Sequence, residues 1–412
     1  MKTIKLTTLI ITGLFVYTGL FAQVTSQWRG ENRDGIYKGT NLMTKWPEKG
    51  PSLLWSVENI GEGYSCPVAK DEFVVVNGSI SGTGFLFTFN TKGELLWKSP
   101  YGPEYPQNDT SSEKYSGPRS TPTIAGDLVY ICSGMGRVSC FDLRKGSEVW
   151  SVDMMSQFNG LMHAAGYGES LLVDGDVVYC HPGGTENNVA ALNRLTGKTI
   201  WTSKGTGDSV SFCSPVVVNL PGRKVIVTLT HKYFSGIDAA TGELLWSREQ
   251  NQVLYNNQFA TPVCSDGCIY YISESGSRLT KLELAADGKS VQEKWRLNNV
   301  RSGLHSPVKM NDMLYYSDVR QKIRGIDINS GKVTDSLRVF RGPVLAADNK
   351  LFSYSENGTV SLISLEGSKM SLISSFKIEK GTREHLATPF IDKGVMYIRH
   401  GDALMAYDIS ND

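Results

Sequence analysis

The 412-residue sequence has almost no net charge, because its 42 Lys and Arg residues are balanced by 41 Asp and Glu residues. Without a basic excess, a nucleic-acid-binding surface is not expected. The chain also lacks the low apolar content of a disordered protein, since 40% of its residues are hydrophobic. Its 42 Gly, 18 Tyr, 15 Phe and 8 Trp residues are typical of short strands joined by tight turns. The composition therefore predicts an all-β globular protein.

Motifs that would identify a common enzyme class are missing. The sequence has no Gly-rich phosphate loop between a strand and a helix, no Gly-x-Ser-x-Gly nucleophile turn and no His-Glu-x-x-His zinc motif. Its six His residues are never spaced i,i+2 or i,i+4, as neighbouring metal ligands on one element often are. We therefore predict no metal site, and the sequence leaves open whether the protein is an enzyme.

An apolar run at the N-terminus predicts export. Lys2 and Lys5 precede the uncharged residues 6–21, which are followed by Ala22, and this pattern is typical of a cleavable secretory signal at residues 1–22. The run is shorter than the ~20 residues that a membrane-spanning helix needs. No Cys lies near the cleavage point, so a lipid anchor is not predicted. Removing the signal leaves 42 − 2 = 40 basic and 41 acidic residues, so we expect a nearly neutral, periplasmic or secreted protein without a transmembrane span.

A short phrase that ends in Trp recurs along the chain. One clear copy reads Asn193-Arg194-Leu195-Thr196-Gly197-Lys198-Thr199-Ile200-Trp201. The Trp residues at 55, 97, 150, 201, 246 and 295 are 42 to 53 residues apart, which suits one four-stranded propeller blade per repeat. In each copy the Asp or Asn oxygen is expected to accept backbone N–H groups of the turn, while Gly adopts the left-handed conformation. The Trp is expected to cover the outer strand and pack toward the next blade.

Eight repeats are predicted from the residues that open the innermost strands. A residue without an N–H group is tolerated there, because the innermost strand lines the central channel. The openings are Pro67, Pro122, Leu171, Pro215, Pro262, Pro307, Pro343 and Pro389. Repeats six and seven are weaker, because Leu337 and Phe376 stand where a Trp is expected.

The two ends of the repeat region complete each other. The last repeat has no room for an outer strand, whereas residues 51–57 near the N-terminus look like an outer strand without a blade. We therefore predict that residues 51–57 complete the blade begun at residues 385–409. This pairing closes an eight-bladed antiparallel β-propeller over residues 51–412 and removes its open edges. Residues 23–50 form a preceding N-terminal segment.

The loops that lead into the innermost strands are longer than the turns on the opposite face, so binding residues are predicted on the long-loop face. Polar side chains predicted at the channel mouth on this face are Arg119, His163, Tyr167, Glu169, His305, Arg341 and His385. Such a set could bind an anionic or sugar-like ligand, or supply acid and base groups. The alternative is that these residues line a water-filled channel that has no ligand.

The seven Cys residues leave at least one free thiol if the protein is exported. Cys264 and Cys268 flank a predicted hairpin turn, where they could face each other across two strands and form a disulfide. The alternative is that both are small buried hydrophobic residues.

The repeats resemble those of the quinoprotein-type propellers, which carry pyrroloquinoline-quinone (PQQ)-like repeats. Residues 191–201 and 237–246 are similar to that family's docking motif. The segment Trp28-Arg29-Gly30-Glu31-Asn32-Arg33-Asp34-Gly35 is similar to the first segment of many bacterial members. The resemblance covers nearly all of residues 28–409 and implies the propeller fold.

This resemblance implies two different activities. One branch of the family contains PQQ- and calcium-dependent alcohol or sugar dehydrogenases, which often carry an adjacent Cys-Cys pair and bind calcium through Glu, Asn and Asp. The other contains non-catalytic envelope scaffolds, including the outer-membrane barrel-assembly lipoproteins. The sequence has neither the Cys-Cys pair nor an alignable calcium triad of the first branch, and it lacks the lipobox Cys of the second.

We expect a non-catalytic binding or assembly scaffold of the bacterial cell envelope, acting as a monomer without a cofactor. Its expected partners are envelope proteins or a glycan. The alternative is a PQQ- and calcium-dependent alcohol or sugar dehydrogenase, or a carbohydrate-active enzyme that uses the polar residues of the channel mouth. Residues 28–35 are expected to pack against one face of the propeller, with contact to a partner as the alternative.

Overall fold

The structure is a computed structural model that describes residues 25–105, 117–250, 259–273, 277–303 and 305–411. The predicted signal peptide at residues 1–22 lies outside these residues. The described chain forms 34 β-strands and one short helix, α1 (Met154–Phe158), and the strands are arranged in eight sheets. These sheets are the blades of a β-propeller, so the predicted fold is confirmed. No helix in the described part of the chain is long and apolar enough to cross a membrane.

Three strands precede the first blade: β1 (Thr25–Ser26), β2 (Ile36–Tyr37) and β3 (Ser52–Val57). The strands of the first four blades then follow in chain order, each blade running from the channel outward. Blade 1 contains β4 (Val68–Lys70), β5 (Phe73–Ile80), β6 (Thr83–Asn90) and β7 (Leu95–Pro103). Blade 2 contains β8 (Thr123–Ala125), β9 (Leu128–Cys132), β10 (Arg137–Asp142) and β11 (Glu148–Asp153). Blade 3 contains β12 (Leu172–Asp174), β13 (Val177–Cys180), β14 (Val189–Asn193) and β15 (Thr199–Ser203). Blade 4 contains β16 (Val216–Leu220), β17 (Arg223–Leu229), β18 (Tyr233–Asp238) and β19 (Leu244–Glu249).

The remaining four blades follow the same order. Blade 5 contains β20 (Val263–Ser265), β21 (Cys268–Ser273), β22 (Arg278–Leu284) and β23 (Val291–Asn298). Blade 6 contains β24 (Val308–Met310), β25 (Met313–Asp318), β26 (Lys322–Asp327) and β27 (Val333–Arg338). Blade 7 contains β28 (Val344–Ala347), β29 (Lys350–Tyr354), β30 (Thr359–Glu366) and β31 (Lys369–Lys377). Blade 8 contains β32 (Phe390–Asp392), β33 (Val395–His400) and β34 (Ala403–Asp408), and β3 is its outer strand.

The outer strand of blade 8 comes from the other end of the chain. β3 pairs antiparallel with β34, with Ser52 opposite Asp408 and Val57 opposite Leu404. Two shorter strands from the segment predicted to precede the propeller also join blades. β1 pairs antiparallel with β8 of blade 2, and β2 pairs in parallel with β28 of blade 7. The parallel pair departs from the wholly antiparallel arrangement that was predicted.

Burial explains why the strands differ in sequence. The second strand of a blade is covered on both faces by its neighbours, so nearly all of its residues are buried, as in Phe73–Ile80 of β5. The outer strands are covered on one face only, so partly buried and exposed residues alternate along Val291–Asn298 of β23. In all eight blades the innermost strand begins at the residue after the predicted opening position. The role predicted for the prolines is therefore confirmed.

The recurring turn joins each blade to the one before it. In blade 1, Asn90 Oδ1 accepts the N–H groups of Lys92 (3.0 Å) and Glu94 (3.0 Å). Gly93 has a φ of +82°, and a Cβ at this position would lie 2.7 Å from the ring of Trp55, which belongs to blade 8. The Trp therefore packs directly on the glycine of the next blade, where a larger residue would not fit.

The indole groups also hydrogen-bond to the next blade. Trp55 Nε1 donates to the Thr91 carbonyl oxygen at 2.8 Å. The same bond to the turn of the following blade is made by Trp97, Trp150, Trp201 and Trp295. Trp246 is the exception, because its Nε1 is buried and has no hydrogen-bond partner among the described residues. The docking predicted from the repeats is thus made by the Trp residues of blades 8, 1, 2, 3 and 5.

The predicted disulfide between Cys264 and Cys268 is not formed, and both thiols are free. The hairpin register explains this difference, since Cys264 lies opposite Ile269 and Cys268 lies opposite Ser265. Neighbouring residues of a strand point to opposite faces, so the two thiols lie on opposite faces of blade 5. Cys264 packs in the cluster shared with blade 4, and Cys268 packs in the cluster shared with blade 6.

Candidate functional site

Residues 27–35 form a turn inside the central channel. Gly35 donates its N–H to the Arg29 carbonyl oxygen at 2.9 Å and so closes the turn. Arg29 and Arg33 have φ angles of 65° and 59°, in the left-handed region that costs a non-glycine residue roughly 1 to 2 kcal/mol. Hydrogen bonds from both side chains to the surrounding blades hold this conformation in place.

Arg33 joins blades 3 and 4 from within the channel. Its side chain is 1% exposed. Nη1 donates to the carbonyl oxygens of Ser170 (3.0 Å) and Pro215 (2.9 Å), and Nη2 donates to that of Leu171. Nε donates to the Gln27 side-chain oxygen at 2.8 Å. Burial lowers the pKa of Arg33 to about 9, so the guanidinium is still charged at neutral pH.

Arg29 reaches the opposite side of the channel. Nη2 donates to the carbonyl oxygens of Asp34 (2.8 Å) and of Pro307 in the opening of blade 6, and Nη1 makes a longer contact of 3.4 Å with the Ser306 carbonyl oxygen. Burial lowers the pKa of Arg29 to about 10. The carboxylate of Asp34 beside Arg29 and that of Glu169 near Arg33 oppose this effect of burial on the pKa of each guanidinium.

The chain that follows this turn packs on blades 7 and 8. Tyr37 donates its hydroxyl to the Pro389 carbonyl oxygen of blade 8 at 3.2 Å. Leu42 donates its N–H to Asp348 of blade 7 at 3.0 Å. Trp46 is 2% exposed, and its ring meets that of Phe376 at 5.2 Å in an edge-to-face arrangement. We call residues 25–50 the strap.

A belt of hydrogen bonds surrounds the turn of the strap. In blades 1 to 5, the residue before the opening position donates its backbone N–H to the hydroxyl of the equivalent residue in the next blade. The donor and acceptor pairs are Cys66 with Thr121, Thr121 with Ser170, Ser170 with Ser214, Ser214 with Thr261, and Thr261 with Ser306, at 2.9 to 3.2 Å. Blade 7 has Gly342 at this position, so the belt cannot continue past blade 6 in the same way.

The strap divides the channel into two cavities. On the face with the long loops lies the upper cavity, which has a volume of about 100 Å³. It is lined by Trp28, Arg29, Tyr64, Arg119, Thr121, Gly168, Ser170, Phe212, Ser214, Phe259, His305, Ser306, Pro343, Leu386 and Thr388. A larger well of about 690 Å³ lies at the opposite end of the channel, between the strap and the short turns of the blades.

Two of the seven predicted site residues line the upper cavity. Arg119 Nη1 donates to the Ala165 carbonyl oxygen at 3.0 Å, and its guanidinium lies 5.4 Å from the centre of the Phe212 ring. His305 is 4% exposed, and its Nε2 lies 3.4 Å from a carboxylate oxygen of Glu356. Burial lowers the pKa of His305, so its ring is neutral at neutral pH despite this carboxylate.

Two further predicted residues lie against the lining of the upper cavity. His163 packs edge-to-face on Phe212 at 4.6 Å. Arg341 Nη2 donates to Glu356 at 2.5 Å. Burial opposes ionisation of Glu356, but the hydrogen bonds from His305 and Arg341 outweigh it and lower the pKa of the carboxyl. Arg341 and Glu356 therefore form an ion pair beside the cavity.

The other three predicted residues lie away from the lining of the upper cavity. Tyr167 is a core residue of blades 2 and 3 and donates its hydroxyl to the Pro182 carbonyl oxygen at 2.9 Å. Glu169 is 1% exposed and bonds to His181, whose Nδ1 lies 2.7 Å from the carboxylate. These two side chains point between blades rather than into the channel, so their predicted place at the mouth is wrong.

His385 stacks on His400 instead of facing the cavity. The two ring centres are 3.6 Å apart, and His385 Nδ1 shares a hydrogen bond with the Tyr354 hydroxyl at 2.5 Å. Burial lowers the pKa of His385 to about 4, and the charges of His400 and Lys377 contribute to a smaller extent. Four of the seven predicted residues thus lie at or beside the cavity, whereas Tyr167, Glu169 and His385 do not.

The strap supplies the residues of the site that the sequence reasoning missed. Trp28 and Arg29 form part of the lining of the upper cavity, although the segment was expected only to pack against one face. A signal was present in the sequence, because two arginines stand beside Gly30 and Gly35 in a turn-like stretch. Arginine side chains are rarely buried to this degree in proteins.

The quinone and calcium implied by the family resemblance do not fit the residues around the upper cavity. The position on the axis holds the side chains of Arg29 and Arg33, and the remaining upper cavity of about 100 Å³ is smaller than the ~300 Å³ or more of pockets that enclose sizeable ligands. Within the ranges that the structure describes, no three His, Cys, Asp or Glu side chains are grouped to hold a metal ion.

Comparison with known proteins agrees with the fold and the repeat. Residues 52–167 and 82–336 match the family described as outer membrane protein assembly factor BamB. The chain belongs to this family of PQQ-like repeat propellers. The crystal structure of BamB from Moraxella catarrhalis superimposes with a TM-score of 0.61 over 87% of this chain and 99% of that chain, at 14% sequence identity. This similarity shows a common fold.

The relatives include both outer membrane protein assembly factors and an alcohol dehydrogenase. The outer membrane protein assembly factor BamB of Kangiella koreensis is 27% identical over 183 residues, 44% of this chain and 42% of that protein. The BamB of Moranella endobia is 28% identical over 68% of each chain. The quinoprotein alcohol dehydrogenase PedH of Pseudomonas putida is 28% identical over 42% of this chain and 30% of that protein. The matched region is thus less than half of the first and third of these relatives.

Proposed function

We propose that this protein is a non-catalytic scaffold of the bacterial cell envelope, exported to the periplasm or beyond, which acts as a monomer and holds envelope proteins together. The observation that carries the proposal is the strap in the channel. Arg29 and Arg33 lie inside the channel and bond to carbonyl oxygens of its wall, so their side chains occupy space that a cofactor in the channel would need. The relatives named outer membrane protein assembly factor BamB support the same role, with proteins of outer-membrane assembly as the partners.

The outer strands offer a surface suited to such a partner. The residue before the docking Trp is an exposed aliphatic residue in four successive blades, which carry Leu54, Leu96, Val149 and Ile200. Each of these side chains is between 46% and 50% exposed. Aliphatic side chains exposed at the same position of adjacent blades form a band along the rim, and exposed apolar patches often mark protein-binding sites. We call these four residues the apolar band.

Site-specific photo-crosslinking in cells tests the proposal. A benzophenone amino acid at position 96, within the apolar band, should give an adduct with an outer-membrane assembly protein that mass spectrometry can identify. The matched control is position 333, because Val333 is also aliphatic, exposed and on an outer strand but lies on blade 6, outside the band. Equal adducts at both positions, or adducts only with cytoplasmic proteins, would contradict the scaffold role.

An activity assay tests the competing role. The purified protein should take up neither PQQ nor calcium in a saturable manner, and it should not reduce a dye with alcohols or sugars as donors. Saturable quinone uptake with turnover would overturn the scaffold proposal, because the strap would then have to leave the channel.

A further inference from the structure

We propose that the long-loop end of blade 6 binds the surface of an anionic phospholipid bilayer. This inference is independent of the scaffold role, because it concerns blade 6 and not the apolar band. It depends on four cationic side chains, on the carboxylates near them, and on one exposed aromatic ring. We call Arg301, Arg320, Lys322, Arg338 and Phe340 the basic patch.

The backbone brings the four cations to the same end of blade 6. The Arg301 carbonyl oxygen accepts the N–H of Val319 at 3.0 Å, and Arg320 lies in the turn between β25 and β26. Lys322 begins β26 and lies directly opposite Arg338, which ends β27. The side chains of Arg301, Lys322 and Arg338 form no ion pair or hydrogen bond with any residue that the structure describes. Three unpaired cations therefore lie together beside Arg320.

The pair formed by Lys322 and Arg338 does not help the fold. Like charges directly opposite each other on adjacent strands destabilise a sheet. At the equivalent position of blade 2, Arg137 lies opposite Asp153, so that pair has opposite charges. In blade 6 a negatively charged ligand would relieve the repulsion between the two cations.

The carboxylates closest to the basic patch are already bonded to other cations. Asp318 is 1% exposed, and Arg324 Nε donates to its carboxylate at 2.7 Å. Arg320 lies further from the same carboxylate, at 4.0 Å. Glu356 of blade 7 accepts a hydrogen bond from Arg341. Neither carboxylate therefore neutralises Arg301, Lys322 or Arg338.

Positive charge is in excess at this end of blade 6. Its six cations are Arg301, Arg320, Lys322, Arg324, Arg338 and Arg341. Besides Asp318 and Glu356, Asp335 lies further along β27, where it accepts the N–H of Met370 at 2.6 Å. Even if Glu274 of blade 5, which lies outside the described residues, adds a fourth negative charge, the cations outnumber the carboxylates.

An exposed ring lies beside these cations. Phe340 is 52% exposed, and among the described Phe, Tyr and Trp residues no other is classed as exposed. It follows Arg338 by two residues, in the connection between blades 6 and 7. The Gly342 N–H donates to the Ser317 hydroxyl at 3.1 Å and holds this connection against β25.

The cations and the ring together favour a bilayer over a soluble acidic partner. Lys and Arg side chains near anionic headgroups each strengthen binding by about fivefold. The ring of Phe340 gains free energy when it enters the boundary between headgroups and acyl chains. A purely acidic polypeptide would contact the cations but would offer the ring no apolar region. The whole chain has almost equal numbers of acidic and basic residues, so the attraction must come from the basic patch.

Co-sedimentation of the whole protein with lipid vesicles tests the proposal. The protein should bind vesicles made of equal parts of phosphatidylglycerol and phosphatidylcholine, and it should not bind vesicles of phosphatidylcholine alone. Added NaCl should weaken the binding, because salt screens exposed charges. The double variant Lys322→Gln, Arg338→Gln should bind about tenfold or more weakly. Its melting temperature should be kept or raised, since the variant removes a repulsive pair.

The matched control is the double variant Lys289→Gln, Lys332→Gln. It removes the same two charges from exposed turns on the opposite face of blades 5 and 6, and it should not change vesicle binding. Equal binding of the two double variants would overturn the proposal. Equal binding of the original protein to both kinds of vesicle would overturn it as well.

A third variant, Phe340→Ser, separates a bilayer from an acidic polypeptide. It should weaken vesicle binding by about threefold or more, because the ring no longer enters the bilayer. It should leave the affinity for poly-L-glutamate, used as the acidic polypeptide, unchanged. If poly-L-glutamate bound more tightly than the vesicles and Phe340→Ser changed neither affinity, the basic patch would belong to an acidic protein partner and the proposal would be wrong.

Discussion

The junctions between blades are built in two different ways. From blade 1 to blade 6, each junction carries a belt hydrogen bond, and all but the junction between blades 4 and 5 also have a docked Trp. From blade 6 to blade 8 the repeat has Leu337 and Phe376 in place of Trp and Gly342 in place of the hydroxyl residue. Residues 34–50 of the strap lie against this second region, whereas β1 and Arg33 of the strap contact blades 2 to 4.

The strap supplies what these repeats lack. Gly35 accepts the N–H of Ala346 at 2.8 Å, and Arg29 bonds to Pro307, so one turn connects blades 6 and 7. Trp46 packs on Phe376, which in turn meets Tyr407 of blade 8 at 5.1 Å. The strap, which lies outside the repeats, thus stabilises the junctions between blades whose repeats have diverged. The ring can therefore stay closed although these repeats lack the docking Trp.

The largest effect is expected from Arg33→Met, which removes the donor to three buried carbonyl oxygens in the openings of blades 3 and 4. Buried acceptors without a partner cost about 1 to 3 kcal/mol each, so we expect the free energy of unfolding to fall by about 4 kcal/mol. Urea denaturation measures this change. The control is Arg338→Met on an exposed outer strand, which should change stability by less than about 0.5 kcal/mol. A loss below about 1 kcal/mol in Arg33→Met would show that the strap does not hold the channel wall.

A smaller loss is expected when a single Trp is truncated, and its size should depend on the region. Trp46→Ala removes an almost fully buried ring and should cost about 3 kcal/mol or more. Trp97→Ala removes a half-buried docking ring between blades 1 and 2, where a belt bond remains, and should cost less. Urea denaturation of both variants gives the comparison. If Trp97→Ala were the more damaging, the difference drawn here between the two regions would be wrong.

Breaking one belt bond should have a moderate effect. Ser214→Ala removes the acceptor of the buried Ser170 N–H, so we expect a loss of about 1 to 2 kcal/mol in the free energy of unfolding. Ser214→Thr keeps the hydroxyl, and Thr occupies the equivalent position in blades 2 and 5, so this variant should be close to the original protein. Equal stability of the two variants would mean that the belt does not contribute.

A further expected effect is on pH dependence, and it has opposite signs in the two regions. Burial raises the pKa of Glu104, next to blade 1, from 4.5 to about 7. Because the folded pKa is raised, the stability contributed by protonated Glu104 is complete below about pH 4.5 and is lost as the pH rises through 7. The folded pKa of His385, next to blade 8, is lowered from 6.5 to about 4, so its contribution is complete above pH 6.5 and is lost as the pH falls through 4.

Urea midpoints between pH 4 and 8 measure these two contributions. Glu104→Gln should reduce the loss of stability on the alkaline side of this range, and His385→Asn should reduce the loss on the acidic side. If either variant kept the full pH profile of the original protein, the environment assigned to that side chain would be wrong.

Much of the fold could be predicted from the sequence because the repeat encodes local structure. The residue that opens each innermost strand, the turn before Gly93 and the docking of Trp55 on it each depend on a few neighbouring residues. The pairing of residues 51–57 with the last repeat followed from counting strands. The last repeat lacks an outer strand and the N-terminal end has one strand too many, so pairing the two closes the ring.

The site was harder to predict, because side-chain direction around a channel is not encoded locally. Glu169 and Tyr167 stand in the same loop as residues of the channel wall, yet they point between blades. The turn of the strap contains polar and charged residues, which are usually found at a surface. Arg33 is stable inside the channel only because carbonyl oxygens from blades 3 and 4 converge there, and these positions are more than 130 residues away in the sequence.

Hydrogen exchange measured by mass spectrometry on the original protein and on Trp46→Ala shows which blades depend on the strap. If the strap holds the divergent junctions, the variant should exchange faster in β28 to β31 and β32 to β34, while β12 to β15 of blade 3 stay as protected as before. Faster exchange spread evenly over all eight blades, or confined to the strap itself, would contradict the account.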